Sequence, residues 1–394
     1  MDKRSTRLYF IDAMRAWAIL MMLQGHFIDG LLDPIYRDPS NTIFNVWKYF
    51  RGITAPVFFT VSGFIFTYLL IRVPESGLQN PRVKKGIKRG LQLLFIGYLL
   101  RINLWGIFKG EIYSSFYLVD VLHCIGFSIL GIIAYYLLTS KSKNWVFPFI
   151  LFCTTMVLFI LEPLYKAMEF NGLPTWMANY LTKANGSVFT IIPWFGYATM
   201  GAFLSILFTR FREHSKLYKV SIPSFAAVGL ILIWISSDFF EVLYEVTGLQ
   251  IFADIVVNNY LFIRLGDVFV VFSIFMLFRK FLTNKTGLRL GQSTLSIYVI
   301  HFIILYGSFT GFGLYSFFKY SLNPWITVTG AVAFILVCSF LALKYEDHKA
   351  WIKERTNQIV SLFKLQLERF LIISFSLLRS TLFKLVELFG LQKN

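Results

Sequence analysis

The stretch RLYFIDAMRAWAILMMLQGHFIDGLL, residues 7–32, is a long apolar run that contains Arg15 and His26. Eleven positions are almost three turns of an α-helix, so the two side chains are predicted to lie about 20° apart around the helix axis. At the rise of an α-helix they are about 16 Å apart along that axis. Asp12 and Asp29 fall within about 60° of the same stripe. The stretch therefore predicts a membrane helix whose ionisable groups share a face.

Ionisable side chains are costly inside a bilayer, and they persist there when they face a protein interior or a water-filled cavity. An arginine near one surface and a histidine near the other indicate a site that is reached from both sides. Imidazole is the usual general base near neutral pH, and a guanidinium binds phosphate or carboxylate. These properties make His26 a candidate base and Arg15 a candidate anion-binding residue. The alternative is a structural pair between Asp12 and Arg15, with His26 touching lipid headgroups.

The composition is that of a polytopic membrane protein. Of 394 residues, 56% are hydrophobic and 15% are charged, and the mean hydropathy is +0.63. The formal net charge of +17 does not indicate nucleic-acid binding, because the basic residues recur between alternate hydrophobic segments and form no single patch. The three cysteines lack paired spacing and the five histidines are scattered. The sequence therefore predicts neither a disulfide framework nor a metal site.

Apolar segments of about 17 to 25 residues are long enough to cross a bilayer, and the backbone in lipid must satisfy its own hydrogen bonds. We predict an all-α fold, a polytopic membrane helix bundle of about ten transmembrane helices. The predicted spans are residues 10–31, 50–72, 90–108, 115–138, 145–163, 188–209, 220–240, 259–279, 291–316 and 325–344. We interpret the first as a retained span, since it contains no small-residue cleavage site.

Basic residues concentrate in alternate connections between these spans, which predicts the orientation of the chain. They cluster at positions 3–7, 82–89, 141–143, 210–219 and 279–289, whereas the other connections mix few basic residues with acidic ones. The positive-inside rule then predicts a multi-pass protein of the cell membrane with an even number of spans and both termini in the cytoplasm.

The last part of the chain, residues 346–394, has a different pattern. Apolar positions recur there among lysines and arginines, and the longest apolar run, 370–378, is too short to span a bilayer. We predict a transmembrane domain, residues 1–345, followed by a cytoplasmic amphipathic helical tail that lies on membrane lipids. A contact between subunits of a homo-oligomer is the alternative use of this tail.

Further polar residues in the predicted spans are candidates for lining the same cavity, because an unpartnered charge in a bundle is costly. Asp120 could orient a histidine or neutralise an arginine, and an aromatic ring such as Trp194 could stack on a sugar or anchor a helix at the interface. Walker, HExxH, GxSxG and dinucleotide-binding motifs are absent from the sequence. The candidates are Arg101, Asp120, His123, Trp194, Arg264, Asp267 and His301.

The opening stretch resembles the membrane acyltransferase-three superfamily, with the R-x10-H pattern at Arg15 and His26. Three later motifs resemble the branch that contains the heparan-α-glucosaminide N-acetyltransferase. They are GITAPVFFTVSGF (52–64), TIIPWFGYATMGAFLS (190–205) and LGQSTLSIYVIH (290–301). The resemblance runs from about residue 7 to residue 345 and so covers the predicted membrane domain.

This resemblance implies transfer of an acyl group, usually acetyl, from cytoplasmic acyl-CoA to a sugar on the far side of the membrane. It implies His26 as the catalytic histidine and Arg15 as a cavity residue that serves the donor. Asp12 and Arg101, as charged residues of the predicted spans, are further donor-binding candidates. Asp29 is the better candidate to orient His26, because Asp12 is about 21 Å from it along the helix.

Two features depart from that branch. The loop 31–49 contains no histidine, although the branch is expected to carry its catalytic histidine in the loop after the first span. His123 stands where a glutamine is expected, which leaves the role of this residue open.

We therefore predict an acyl-CoA-dependent O- or N-acyltransferase that uses acetyl-CoA, needs no metal and modifies a carbohydrate or lipid-linked glycan. General-base catalysis and an acyl-histidine intermediate are both compatible with the sequence. The main alternative is a transporter or flippase with a charged intramembrane pathway, against which no inverted repeat is visible. A third alternative is a non-catalytic scaffold that binds partners through residues 346–394.

Overall fold

The fold of the chain comes from a computed structural model, and the structure describes residues 8–388. The basic cluster at positions 3–7 and the last residues of the predicted tail, 389–394, lie outside this range. Within residues 8–388 the chain is helical and has no β-strand beyond two isolated bridges, Leu32 with Leu322 and Asn103 with Phe309. The all-α fold is confirmed.

The described residues form seventeen α-helices and three short 3-10 helices. The α-helices are α1 Tyr9–Leu31, α2 Thr42–Leu70, α3 Pro81–Leu100, α4 Leu104–Phe108, α5 Val121–Leu138, α6 Val146–Ile160, α7 Glu162–Lys166, α8 Thr175–Ala178, α9 Ile191–Arg210, α10 Leu217–Trp234, α11 Ser236–Thr247, α12 Gln250–Val257, α13 Tyr260–Leu277, α14 Lys285–Gln292, α15 Thr294–Tyr306, α16 Leu314–Phe318 and α17 Pro324–Leu388. The 3-10 helices are Pro34–Tyr36, Gly77–Gln79 and Ser114–Tyr117.

Every predicted span overlaps a helix, but fewer helices qualify as membrane spans than the ten we predicted. In residues 8–388, six helices are long and apolar enough to cross a membrane, or seven if α14 and α15, which meet at 71°, form one bent span. The shortfall has identifiable causes. Charged and polar residues lower the apolar character of α1, five basic residues occupy the first half of α3, and α6 has only 15 residues.

Glycines allow the main helix pairs to approach closely. Helix α2 packs along α9, where a Cβ on Gly63 or Gly201 would collide with the backbone of the other helix. Helix α1 packs against α14, where a Cβ on Gly291 would collide with the carbonyl of Asp12. Small residues at such crossings are typical of membrane helices, because close packing replaces the hydrophobic driving force that lipid cannot supply.

The chain divides into two compact units, Met1–Leu341 and Ala342–Asn394. The first contains helices α1 to α16 and the beginning of α17. In the second, α17 continues as a helix to Leu388, and the apolar side chains of Trp351, Ile359 and Phe370 are exposed. The boundary of the membrane domain at residue 345 and the role of the tail stay predictions.

Candidate active site

A cavity of about 680 Å³ lies in the first unit, on one side of the helix bundle. Its wall combines the C-terminal halves of α1 and α15, the end of α3, the first half of α2, and the beginnings of α5, α9 and α13. Antiparallel helices bring these ends to the same side. The ionisable side chains of the lining, apart from tyrosines, are His26, Arg51, Arg101, Asp120 and Lys183.

His26 is held in the cavity wall by a tyrosine. Its Nδ1 lies 2.8 Å from the Tyr306 hydroxyl, and its Nε2 has no hydrogen-bond partner among the described residues. His301 lies behind it, fully buried, with 5.4 Å between the two ring centroids. The arrangement engages one ring nitrogen of His26 and leaves the other without a partner in the described part of the chain.

Asp29 does not contact His26 in the structure. Its carboxylate pairs with Arg51, and its backbone carbonyl accepts a hydrogen bond from Arg37 Nη2 at 2.8 Å. Arg51 itself lines the cavity and lies over Gly25, where an added Cβ would be 3.2 Å from the arginine side chain. Asp29, which we predicted to orient His26, therefore pairs with Arg51 instead. The hydrogen bond to His26 that we expected from Asp29 is made by Tyr306.

Arg15 and Asp12 lie outside the cavity, in the N-terminal part of α1. Arg15 Nη2 donates a hydrogen bond to Thr294 Oγ1 at 3.0 Å, and its Nη1 lies 3.9 Å from Asp12 Oδ1. Thr294 is the first residue of α15, next to the bend after α14. Arg15 therefore links α1 to the bent helix pair rather than sharing a cavity with His26.

Asp120 caps α5 at the edge of the cavity. The sequence left a histidine and an arginine as alternative partners of this carboxylate, and the structure shows contacts with both. Its Oδ1 lies 3.0 Å from His123 Nδ1, and its Oδ2 lies 3.5 Å from Arg101 Nε. His123 is fully buried against Tyr98, with 4.4 Å between ring centroids, and fills the space beside Gly97. Asp120 and Arg101 line the cavity, whereas His123 supports Asp120 from behind.

Arg264 and Asp267 form a closed cluster next to the cavity wall. Arg264 Nη1 lies 2.8 Å from Asp267 Oδ2, and the Tyr49 hydroxyl donates a hydrogen bond to Asp267 Oδ1 at 2.6 Å. The guanidinium packs on Gly52, where an added Cβ would be 2.8 Å from it. These contacts connect α2 to α13 and are typical of a structural ion pair.

An aromatic and polar section of the lining includes Trp194. The indole ring packs on Phe59 and Phe189, and Lys183 Nζ lies 6.0 Å from its centroid. Five buried atoms of lining residues have no hydrogen-bond partner among the described residues. Two of them, Arg101 Nε and Asp120 Oδ2, face each other in an ion pair, and the other three are Thr54 Oγ1, Trp194 Nε1 and Ser308 Oγ. Buried polar atoms are normally satisfied, so this concentration points to a polar ligand or water.

Lys183 differs from the other two cations of the lining. Arg51 and Arg101 each have a carboxylate partner, whereas Lys183 has none within 4.0 Å in the described part of the chain. Desolvation by the surrounding protein lowers the pKa of its ammonium group, although the residue as a whole remains exposed. Its charge is therefore available to an anionic group in the cavity.

The cavity unites some of the predicted site residues and separates others. His26, Arg101, Asp120 and Trp194 line it, while Asp29, His123, Arg264, Asp267 and His301 lie behind its lining and Arg15 and Asp12 lie apart. Sequence reasoning missed Arg51, although an arginine inside a predicted span is itself a signal of function. It also missed Tyr306, since a tyrosine near a helix end is common and carries no such signal.

The described residues contain no group of three or more His, Cys, Asp or Glu side chains arranged to hold a metal ion. A family model described as heparan-alpha-glucosaminide N-acetyltransferase, catalytic, matches residues 7–238 of the chain. The chain belongs to this family. No curated protein matches the chain.

As a member of the heparan-α-glucosaminide N-acetyltransferase family, the chain is a membrane acetyltransferase. The matched segment contains all the ionisable lining residues other than tyrosines, together with the indole of Trp194. These ionisable residues are His26, Arg51, Arg101, Asp120 and Lys183. The matched segment ends within α11, so His301 and Tyr306 on α15 lie beyond it.

Proposed function

We propose that this family member transfers an acetyl group from cytoplasmic acetyl-CoA to a hydroxyl or amine of a glycan on the opposite side of the membrane. The observation that carries the proposal is His26, which lines a cavity of about 680 Å³ with its Nδ1 bonded to Tyr306 and its Nε2 unbonded. An imidazole so placed, in a chain of an acetyltransferase family, is suited to remove the proton of an attacking acceptor.

His26 is proposed to act as the general base. Its Nε2 takes the proton from the acceptor hydroxyl or amine as that atom attacks the acetyl carbonyl carbon. The same proton then passes from Nε2 to the departing sulfur, so the imidazole is neutral at the beginning and at the end. General-base assistance of this kind contributes about 10²–10⁴-fold to a rate.

The charge of the site fits an anionic donor. Three cations line the cavity and Asp120 is the carboxylate of its lining, so the wall is positive overall. Acetyl-CoA supplies a thioester and several phosphate charges. We propose that Arg101 contacts the donor in the cavity and that Arg15, with Asp12, contacts the donor outside the cavity, toward the cytoplasm and about 16 Å along α1 from His26.

The acceptor is proposed to be a carbohydrate or a lipid-linked glycan. Sugars combine hydroxyl groups with apolar ring faces, and the cavity lining combines unpaired polar atoms with the indole ring of Trp194. The connections 32–49 and 164–187 are proposed to lie on the acceptor side, where they would contribute to acceptor selection.

We propose that the protein lies in the cell membrane with both termini in the cytoplasm. Support comes from the basic connections at 82–89, 141–143, 210–219 and 279–289, which alternate with connections that carry few basic residues. A C-terminal reporter that is active only in the cytoplasm tests this orientation, and an inactive reporter in a correctly inserted protein would reverse it.

The decisive test is acetyl transfer by the purified full chain in lipid nanodiscs. Radiolabelled acetyl-CoA is supplied with glucosamine, glucose or a lipid-linked disaccharide, and labelled product is counted. We expect product from the wild type and at least about 10²-fold less from His26→Gln. The matched control is His214→Gln, since His214 is exposed and lies outside the cavity.

Two results would contradict the proposal. A folded His26→Gln protein that transfers acetyl at the wild-type rate would remove the catalytic role of His26. Saturable movement of a solute across liposomes, with no acetyl transfer to any acceptor, would favour a transporter instead.

A further inference from the structure

The hydrogen bond between Tyr306 and His26 can select which nitrogen of the imidazole carries the proton. A neutral imidazole has one protonated and one unprotonated nitrogen, and the partner of one nitrogen decides the state of the other. We propose that Tyr306 is a positioning residue for the transfer reaction: its hydroxyl oxygen accepts the hydrogen bond of His26 Nδ1–H and keeps Nε2 unprotonated toward the substrates. This inference rests on the proposed function of His26 as the base.

Carboxylates are the usual partners of a catalytic histidine, but both carboxylates near His26 are engaged elsewhere. Asp29 pairs with Arg51, and Asp120 is engaged by His123, by Arg101 and by the backbone N–H of Leu122 at 3.0 Å. In the described part of the chain, the hydrogen-bond partner of the His26 ring is the Tyr306 hydroxyl, at 2.8 Å from Nδ1. The orienting role therefore falls to a neutral phenol.

The backbone after Tyr306 fixes the position of its hydroxyl. Helix α15 ends at Tyr306, and Gly307 follows in the left-handed conformation with φ of 71°. A Cβ on Gly307 would collide with the backbone of Gly313, so only glycine fits this tight turn. The turn is anchored to the connection between α3 and α4, where Phe309 N donates to Ile102 O at 3.0 Å and Phe309 O accepts from Leu104 N at 2.9 Å.

Aromatic side chains hold the two interacting rings from the sides. The Tyr306 ring lies 4.9 Å from that of Phe302 and 5.8 Å from that of Tyr315. The His26 ring lies 5.4 Å from that of His301, which is itself buried. Rotation of His26 away from Tyr306 would therefore disturb packed groups, so the hydrogen bond is preorganised before substrates arrive.

The proton balance of the reaction is compatible with this assignment. When Nε2 takes the acceptor proton, the imidazolium carries N–H groups on both nitrogens. Nδ1–H continues to donate to the Tyr306 oxygen, and the Nε2 proton moves on to the leaving sulfur. Tyr306 neither gains nor loses a proton, which distinguishes a positioning residue from a second base.

The substitution Tyr306→Phe removes the hydroxyl and keeps the ring. We expect kcat for acetyl transfer to fall by about tenfold, as expected for one hydrogen bond, while KM for both substrates stays within error. The matched control is Tyr165→Phe, which removes a hydroxyl bonded to Leu158 O at 2.7 Å outside the cavity and should leave kcat unchanged.

Solid-state NMR of nitrogen-labelled histidine in the full chain supplies a readout that does not depend on activity. The His26 signals, assigned by their loss in His26→Gln, should show a protonated Nδ1 in the wild type and mixed tautomers in Tyr306→Phe. A protonated Nε2 in the wild type, or an unchanged kcat in Tyr306→Phe, would overturn the role of Tyr306. Absence of transfer by the wild type would instead refute the proposed function, and the NMR result would still stand by itself.

Discussion

His301 lies directly behind His26, with 5.4 Å between the centroids of the two rings. The His301 side chain is fully buried, and neither ring nitrogen makes a hydrogen bond of normal geometry in the described part of the chain, although the backbone of Tyr298 and Ile297 lies close to the ring. An unpaired buried polar group destabilises a folded protein, whereas an apolar ring in the same place does not. We therefore interpret His301 as a packing neighbour of His26 and not as a second base.

Replacement of His301 by phenylalanine tests this interpretation. We expect His301→Phe to retain kcat and to raise the free energy of unfolding by about 1 kcal/mol, because two unsatisfied nitrogens are removed. His123→Phe serves as the contrast. It breaks the 3.0 Å contact with buried Asp120 and should lower stability by about 1–3 kcal/mol. Denaturant unfolding in detergent measures both, and loss of transfer by a stable His301→Phe protein would show that His301 takes part in the chemistry.

The ion pair between Asp29 and Arg51 allows a second test, which asks whether Asp29 or Tyr306 orients His26. Both side chains are partly exposed, at 31% and 45%, so their coupling free energy in a double-mutant cycle is expected to be below about 1 kcal/mol. Because Asp29 does not contact His26, Asp29→Asn should reduce kcat less than Tyr306→Phe does. Asp38→Asn, in an exposed loop, is the control. If Asp29→Asn lowers kcat as much as His26→Gln does, the carboxylate of Asp29, and not Tyr306, orients His26.

Lys183 should attract negatively charged substrates, because it lines the cavity and has no carboxylate within 4.0 Å in the described part of the chain. We expect Lys183→Ala to raise KM for an anionic substrate severalfold and to leave KM for a neutral acceptor unchanged. Lys166→Ala is the control, since Lys166 pairs with Glu162 at 3.4 Å and does not line the cavity. Equal effects of Lys183→Ala on charged and neutral substrates would contradict this role.

The lowered pKa of Lys183 predicts the pH dependence of the same effect. Burial lowers this pKa, so the ammonium loses its proton at a lower pH than an ordinary lysine does. Attraction for an anion is complete below the lowered pKa and is lost as pH rises through it. The KM for the anionic substrate should therefore rise on the alkaline side in the wild type, and this rise should be absent from Lys183→Ala.

Helix packing at Gly201 predicts a large effect of a small substitution. A Cβ at this position would collide with the carbonyl of Thr60 on α2, so Gly201→Ala should push α9 away from α2. We expect a loss of about 1–3 kcal/mol in stability, as for other overpacked sites. Gly172→Ala is the matched control, because an added Cβ there meets nothing within 4 Å. Thermal unfolding of the two variants in one detergent makes the comparison, and equal melting temperatures would contradict the close crossing.

The elements of this fold were predictable because they depend on local sequence. Apolar runs that are long enough to cross a bilayer form helices, because the backbone in lipid must satisfy its own hydrogen bonds. Each predicted span overlaps a helix of the structure. Contacts at i, i+3 on one helix, such as Asp120 with His123, follow from the same geometry. The number of spans was overestimated, since hydropathy over a window does not reveal that the predicted span 90–108 is divided between the end of α3 and the short helix α4, or that α6 ends at Ile160.

Local patterns in the sequence were sufficient to predict a helical membrane protein and to single out His26. The contacts of His26 depend on how the helices pack together. The partner is Tyr306, 280 positions away, and not Asp29, which is three positions away but engages Arg51 on another helix. Spacing along a helix fixes the direction of a side chain, but the groups that meet it depend on which helices pack together. That choice rests on long-range contacts such as the Gly291 crossing with Asp12, and one sequence does not encode them in any local pattern.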